Sequence, residues 1–134
     1  VATDIHAGYI EKARVGIYSK SSLKDVQPQI REQYFDVRKS GNLFAIRAAY
    51  KEGIDWRVKE IFSNPPGSAF DIIFLRSNLL TYYNAQLKIR GLKNVLKTLA
   101  PGGWLIVGSH EKLPAAISNM QRHNSMPWAY RQAV

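Results

Sequence analysis

Short continuous apolar runs alternate along the chain with amphipathic stretches, a pattern typical of buried strands connected by helices. The amphipathic stretches predict helices over Ala7–Val15, Pro28–Tyr34 and 85–99. The apolar runs predict strands at residues 1–5, 70–75 and 104–108. The strand, helix and strand from residue 70 to residue 108 form a βαβ unit, which favours a parallel sheet with the 70–75 strand buried on both faces. The predicted fold class is therefore α/β.

The middle of the chain follows a different pattern. Short aromatic and β-branched segments at 34–39, 43–47 and 54–58 are separated by turns that contain glycine, which predicts an antiparallel meander whose third strand continues into the main sheet. The strongest loop signal is the Asn-Pro-Pro-Gly-Ser segment at 64–68, and Pro101-Gly102-Gly103 predicts a turn after the last long helix. A final strand is expected around Trp128, Ala129 and Tyr130.

Composition narrows the protein class. The 134 residues are 46% hydrophobic and 22% charged, as expected for one compact globular domain, and no stretch approaches the ~20 apolar residues of a membrane-spanning helix. Cysteine is absent, which excludes disulfides, thiolate metal sites and a cysteine nucleophile. No basic segment precedes an apolar run at the start, so no secretory signal is expected, and the missing initial Met suggests a piece of a longer protein.

The chain is strongly basic, with 19 Lys and Arg against 10 Asp and Glu and a net charge of +9. Such an excess is compatible with a nucleic acid, an anionic surface or an acidic protein as partner. The basic residues are scattered, and no nucleic-acid-binding signature accompanies them. We therefore favour a solvated basic surface and expect no nucleic-acid partner, although a binding role for this charge stays open as an alternative.

Polar residues follow three predicted strands, at the end of an α/β sheet where ligands usually bind. Asp4 closes the first strand, where a carboxylate is able to accept both ribose hydroxyls or to cap the following helix. Arg76, Ser77 and Asn78 follow the 70–75 strand, shortly before Tyr82 and Tyr83, and fit a functional site as well as an ordinary loop.

The third strand end carries Ser109, His110 and Glu111. A histidine beside a carboxylate is compatible with a general base, but no serine or cysteine elbow accompanies it. A surface histidine is the favoured interpretation.

Several ordered motifs together resemble the CheR-type chemoreceptor glutamate methyltransferases. The segments that carry the resemblance run nearly the whole length of the chain: Ala2-Thr3-Asp4-Ile5-His6, Glu11-Lys12-Ala13-Arg14-Val15-Gly16-Ile17-Tyr18, Gln33-Tyr34-Phe35, Phe70-Asp71-Ile72-Ile73-Phe74-Leu75-Arg76, Asn78-Leu79-Leu80-Thr81-Tyr82-Tyr83-Asn84, Leu99-Ala100-Pro101-Gly102-Gly103 and Gly108-Ser109-His110-Glu111-Lys112-Leu113. A generic methyltransferase would share only the aspartate and the Pro-Gly-Gly. The resemblance implies a partial Rossmann-like methyltransferase domain over residues 1–134, with a doubly wound sheet and a small inserted antiparallel β-subdomain at about 34–56.

The resemblance also implies a function and a site. The family uses S-adenosyl-L-methionine to form methyl esters on glutamate side chains of chemoreceptors during chemotaxis adaptation, and S-adenosylhomocysteine is the product. Asp4, Glu60 and Asn78 would be the cofactor-binding residues, while Arg76 and Tyr82 would be the catalytic ones; no metal is expected. Glu60 would lie near the adenine, at the end of a strand over residues 54–61. The implied partner is the cytoplasmic region of a chemoreceptor, with a receptor tail peptide on the β-subdomain, and the implied location is the cytoplasm without membrane insertion.

The sequence departs from the family pattern at three points. Ser77 stands between an arginine and an asparagine that are adjacent in the family. His110 stands where the family has serine, or the serine and histidine of the family are exchanged at this place. The Gly-rich loop that holds the methionine end of the cofactor is missing, together with its strand, which would lie between the strands that end at Asp4 and Leu75. Residues 1–134 alone are therefore expected to be inactive, and a CheR-like module that binds a peptide or partner without catalysis is the alternative.

Overall fold

The computed structural model describes residues 1–38, 41–62, 67 and 69–133. They divide into two compact units, Val1–Val58 and Lys59–Val134, which are described in turn. No helix within the described residues is both long and apolar enough to cross a membrane.

The first unit combines a parallel strand pair with a small antiparallel sheet. Its elements, in chain order, are β1 (Ala2–Asp4), α1 (Ala7–Val15), β2 (Ile17–Ser19), α2 (Pro28–Tyr34), β3 (Phe35–Arg38), β4 (Leu43–Ile46) and β5 (Trp56–Val58), with short 3-10 helices at Ser21–Leu23 and Ala48–Tyr50. Strand β1 pairs in parallel with β5, and β4 lies between β2 and β3 in the antiparallel sheet. The predicted helices α1 and α2 are confirmed at both ends.

The predicted meander is wrong in its third strand. The antiparallel sheet takes its third strand from Ile17–Ser19, which the sequence pattern did not identify, while Trp56–Val58 pairs with β1. Gly16 explains this arrangement, because it ends α1 in the left-handed conformation at φ 70° and turns the chain directly into β2. The Gly16 carbonyl then accepts a hydrogen bond from the Ile46 N–H at 2.9 Å, which continues the pairing of β2 with β4.

The end of α1 is also capped by a distant lysine. Lys51 Nζ donates to the carbonyl oxygens of Arg14 and Val15 at 3.1 and 3.0 Å, two groups of the last helical turn. A cation at this end of a helix also interacts favourably with the helix dipole. Lys51 thereby connects the segment after β4 to α1.

We expect Lys51→Met to lower the free energy of unfolding by about 1 kcal/mol, since methionine keeps the apolar stem but donates to neither carbonyl. Urea denaturation of the full-length gene product measures this change. Lys24→Met is the matched control, because Lys24 is exposed and its side chain has no partner among the described residues. Equal stability of the Lys51 variant and the parent protein would contradict the capping role.

The second unit is a four-stranded sheet with helices between its first two strands. Its elements are β6 (Phe70–Leu75), α3 (Leu79–Tyr82), α4 (Ala85–Leu96), β7 (Leu99–Val107), β8 (Met120–Arg122) and β9 (Ala129–Gln132). The strand order is β6-β7-β9-β8, with β6 and β7 parallel and the other pairs antiparallel. The largest of the almost completely buried side chains are Leu79, Leu92, Leu105 and Val107. The predicted βαβ unit is confirmed.

Strand β6 is buried on one face only, which corrects the predicted burial on both faces. Leu75 belongs to the core and Ile73 packs against it, whereas Ile72 and Phe74 are 54% and 71% exposed. A continuous apolar run shows that both faces of a strand are apolar, but it does not show what covers each face.

The connection between α4 and β7 also differs from the prediction. The helix ends at Leu96 and the strand begins at Leu99, so the predicted Pro101-Gly102-Gly103 turn lies inside β7. Phe70 pairs with Leu99 and Ile72 with Trp104, which leaves extra residues on β7 as a bulge. Gly102, with a φ of 73°, supplies a left-handed conformation in this bulge. The predicted 64–68 loop, apart from Gly67, lies outside the described residues.

Candidate functional site

Three polar residues directly follow the carboxyl end of strand β6. Arg76 is exposed, and its guanidinium has no hydrogen-bond partner among the described residues. Ser77 has a φ of 50°, a left-handed conformation that is uncommon for a residue other than glycine. Asn78 precedes α3 and its side chain caps no backbone group. The arginine and the asparagine are thus both available to a ligand.

The two tyrosines that follow have opposite environments. Tyr82 ends α3 and is 77% exposed. Tyr83 is partly buried and makes an edge-on contact with Phe62, with ring centroids 5.1 Å apart. Of this pair, Tyr82 is the one whose ring and hydroxyl are open to a bound molecule.

The carboxylate of Glu111 connects the segment after β6 with the end of β7 through hydrogen bonds. Glu111 Oε2 accepts hydrogen bonds from the N–H of Gly108 at 2.7 Å and the N–H of Ser77 at 3.0 Å. Its other oxygen, Oε1, accepts a hydrogen bond from the Thr81 hydroxyl at 2.5 Å. These three hydrogen bonds form the Glu111 clamp. In the sequence Glu111 stands out only as the carboxylate beside His110, although the motif from Gly108 to Glu111 contains both partners of one of these hydrogen bonds.

The clamp depends on the ionised carboxylate. Partial burial alone would raise the pKa of Glu111, but the hydrogen bonds from Thr81, Gly108 and Ser77, with the positive charge of Arg76, together lower it below the ordinary value of 4.5. Glu111 is therefore ionised at neutral pH and accepts hydrogen bonds at both oxygens.

The lowered pKa predicts how the clamp responds to acid. Because the folded-state pKa lies below the unfolded one, the stabilisation is complete above 4.5 and disappears as the pH falls through the folded value. We expect Glu111→Gln to be less stable than the parent protein at pH 7 and the difference to shrink below pH 4.5. Thermal unfolding of both proteins across this range measures it, and a difference that stays constant with pH would contradict the assignment.

Asp4 lies at the carboxyl end of β1 in the first unit. Its Oδ1 accepts a hydrogen bond from the His6 N–H at 2.8 Å, whereas no described residue donates to Oδ2. The N-cap of α1 is His6 itself, so Asp4 does not serve as that helix's N-cap. Beside it lies an open hollow lined by Ile5, His6, Ala7, Gly8, Tyr9 and Lys12.

The surroundings of Asp4 fit the nucleoside part of S-adenosylmethionine. A carboxylate with one oxygen lacking a donor is able to accept hydrogen bonds from ribose hydroxyls. The adjacent Ile5 is 54% exposed and supplies an apolar surface at the same place. Both features stand at the carboxyl end of a parallel strand, where α/β folds bind such ligands.

Glu60 and His110 are the remaining residues that the sequence singled out. Glu60 is exposed and follows β5 by two positions, since this strand ends at Val58 and not at residue 61. His110 is exposed in the turn after β7. One short segment of the second unit thus contains Arg76, Asn78 and Tyr82. Glu60 belongs to the same unit but lies outside this segment, and Asp4 belongs to the first unit.

Comparison with known proteins agrees with these motifs. Residues 1–130 match the family described as CheR methyltransferase, SAM binding domain. The chain is 29% identical over 128 residues to Chemotaxis protein methyltransferase 1 of Pseudomonas aeruginosa, covering 94% of this chain and 44% of that protein. It is 35% identical over 131 residues to the Chemotaxis protein methyltransferase of Salmonella typhimurium, covering 93% and 43%.

A third relative, the Chemotaxis protein methyltransferase of Vibrio parahaemolyticus, is 32% identical over 114 residues, or 84% of this chain and 41% of that protein. The chain therefore spans less than half the length of each of these curated relatives. The family match, by contrast, extends over almost all of the chain. On this evidence the chain belongs to the CheR methyltransferase family, within its SAM-binding domain.

Proposed function

We propose that this chain is the S-adenosylmethionine-binding part of an enzyme that methylates glutamate side chains of chemoreceptors. The observation that carries the proposal is the family match over residues 1–130. The polar segment after β6 supports it, because an arginine without a hydrogen-bond partner among the described residues, an asparagine and an exposed tyrosine stand together at a strand end. The names of the relatives, which are chemotaxis methyltransferases, support the choice of receptor as substrate.

The reaction requires alignment more than acid–base chemistry. S-adenosylmethionine supplies an electrophilic methyl group on a sulfonium. A glutamate carboxylate oxygen forms the new bond to the methyl carbon, while the carbon–sulfur bond breaks and its electron pair stays on sulfur. The products are a methyl ester and S-adenosylhomocysteine, and no proton is transferred. The contribution of the protein is to hold the carboxylate in line with the methyl group.

The residues divide between the two reactants in this proposal. Arg76 pairs with the acceptor carboxylate, for which a planar guanidinium offers two parallel N–H donors. Tyr82 lies beside the sulfonium, where an aromatic ring attracts a cation. Asp4 accepts hydrogen bonds from the ribose hydroxyls, and Glu60 and Asn78 are further cofactor contacts.

The same proposal places the reaction in the cytoplasm, on the cytoplasmic region of the receptor. A receptor tail peptide would add as a further strand to the antiparallel sheet, since β2 and β3 each have one neighbouring strand among the described residues. Calorimetric titration with the C-terminal peptide of the receptor tests this contact.

Activity is assigned to the full-length gene product and not to residues 1–134 alone. Within the described residues, β1 pairs only with β5 and β6 only with β7, so one edge of each strand lacks a neighbour. Unsatisfied backbone groups on such edges cost about 1–3 kcal/mol each when they are buried.

Transfer of a radiolabelled methyl group to receptor-containing membranes tests the function directly. The full-length protein should produce a base-labile methyl ester on glutamate, and residues 1–134 should not. Peptide binding without any methyl transfer by the full-length protein would instead support a binding module.

A further inference from the structure

We infer that Glu111 is a positioning residue, which holds the segment Arg76–Ser77–Asn78 in the conformation that presents its side chains to ligands. The inference rests on the proposed function, because the ligands in question are the acceptor carboxylate and the cofactor. Glu111 itself contacts neither in this assignment. It acts through the backbone of Ser77 and the side chain of Thr81.

The contacts of Glu111 lie on both sides of Asn78 in the chain. Ser77 directly follows Arg76 and directly precedes Asn78, so the hydrogen bond from its N–H at 3.0 Å fixes the backbone between the two functional side chains. Thr81 lies within α3, one position before Tyr82, and its hydroxyl binds the other carboxylate oxygen. One carboxylate thus fixes the chain before and after Asn78.

The third contact holds the carboxylate in place. The Gly108 N–H donates to Oε2 at 2.7 Å at the end of β7, which is the strand paired with β6. A Cβ built on Gly108 would lie 2.6 Å from Oε2, so a side chain at position 108 would displace the Glu111 carboxylate from this hydrogen bond. The absence of a side chain at this position is therefore what permits the close approach of Glu111.

The backbone of the segment also requires external support. Ser77 has a φ of 50°, and Asn78 combines a φ of −135° with a ψ of −99°. Conformations of this kind are sparsely populated and persist where surrounding interactions determine them. The Glu111 clamp provides such an interaction for Ser77, the residue that also interrupts the Arg-Asn pair of the family.

Two substitutions separate positioning from general stability. Glu111→Gln preserves shape but removes the charge, and its amide nitrogen cannot accept a hydrogen bond, so either the Thr81 hydroxyl or both backbone N–H groups lose their acceptor. We expect kcat for methyl transfer by the full-length protein to fall about 10-fold, while the affinity for S-adenosylhomocysteine changes less than about twofold. Thr81→Val should lower kcat about threefold, and Thr81→Ser, which retains the hydroxyl, should restore it.

The control is Glu52→Gln, since Glu52 is an exposed carboxylate without a partner among the described residues. It should leave kcat unchanged. Glu111→Gln with the kcat of the parent protein would overturn the inference. A fall in kcat with an equal rise in KM and an equal loss of cofactor affinity, all in proportion to the loss of thermal stability, would also overturn the inference. A scaffold defect would affect all three quantities in this way.

Amide hydrogen exchange gives a readout that does not depend on activity. In Glu111→Ala, which removes both carboxylate oxygens, the Ser77 and Gly108 amides should exchange at least about 10-fold faster, while the amide of the fully buried Leu105 should not change. Unchanged exchange at Ser77, or equal acceleration at Leu105, would overturn the inference. If the parent protein methylates no receptor, the proposed function fails, and the exchange result alone decides whether Glu111 fixes the segment.

Discussion

Replacing Arg76 by lysine is expected to slow methyl transfer by about 100-fold while the affinity for S-adenosylhomocysteine changes much less. The guanidinium is exposed and has no hydrogen-bond partner among the described residues, so its donors are available to an acceptor carboxylate. Lysine keeps the positive charge but replaces a planar fork with a single point of contact. A small error in the position of a reacting group is sufficient for a loss of this size.

The Arg76 variant is measured by steady-state methyl transfer together with calorimetry of S-adenosylhomocysteine binding. Arg90→Lys is the matched control, because Arg90 is an exposed arginine on α4 with no partner among the described residues. Equal losses of turnover and cofactor affinity in Arg76→Lys would place this arginine on the cofactor or in the scaffold. Unchanged turnover would remove it from the acceptor site.

Asp4→Ala is expected to weaken S-adenosylhomocysteine binding by about 2–4 kcal/mol, or roughly 30- to 700-fold. The carboxylate stands at the end of β1, and its Oδ2 receives no hydrogen bond from a described residue. Alanine removes two charge-assisted hydrogen bonds to the ribose hydroxyls. It also removes the acceptor of the His6 N–H, an exposed contact whose loss should have a much smaller effect.

Calorimetric titration of the full-length protein measures this loss. Asp25→Ala serves as the control, since Asp25 is an exposed aspartate of the same unit without a hydrogen-bond partner among the described residues. Asp4→Asn separates charge from shape, because it retains one acceptor oxygen and should lie between the parent protein and the alanine variant. Unchanged affinity in Asp4→Ala would remove Asp4 from the cofactor site.

Local signals in the sequence were sufficient for much of the fold. Helices α1 and α2 have the predicted bounds, because Gly16 directly after α1 and Pro28 at the start of α2 each act through the backbone of their own residue. The apolar run at β6 also gave the correct strand bounds. The ordered motifs led to the correct family, since each of them combines residues close together in the chain.

Pairing between distant segments was decided by the tertiary structure. The pattern at residues 54–58 predicts a strand equally well beside β4 or beside β1, and the register of Trp56 with Ala2 selects β1. Burial is decided in the same way, because the exposure of Phe74 depends on what covers the second face of β6.

The sequence predicted some features of the candidate site, and the tertiary structure decided the others. The sequence by itself determined that Asp4 ends β1 and that Arg76 and Asn78 follow β6, because strand ends are set by local composition. Only the tertiary structure distinguished the exposed Tyr82 from Tyr83, which packs against Phe62. Only the tertiary structure showed the hydrogen bond between Ser77 and Glu111, which are 34 positions apart. Such a bond depends on proximity in space and produces no pattern in the sequence.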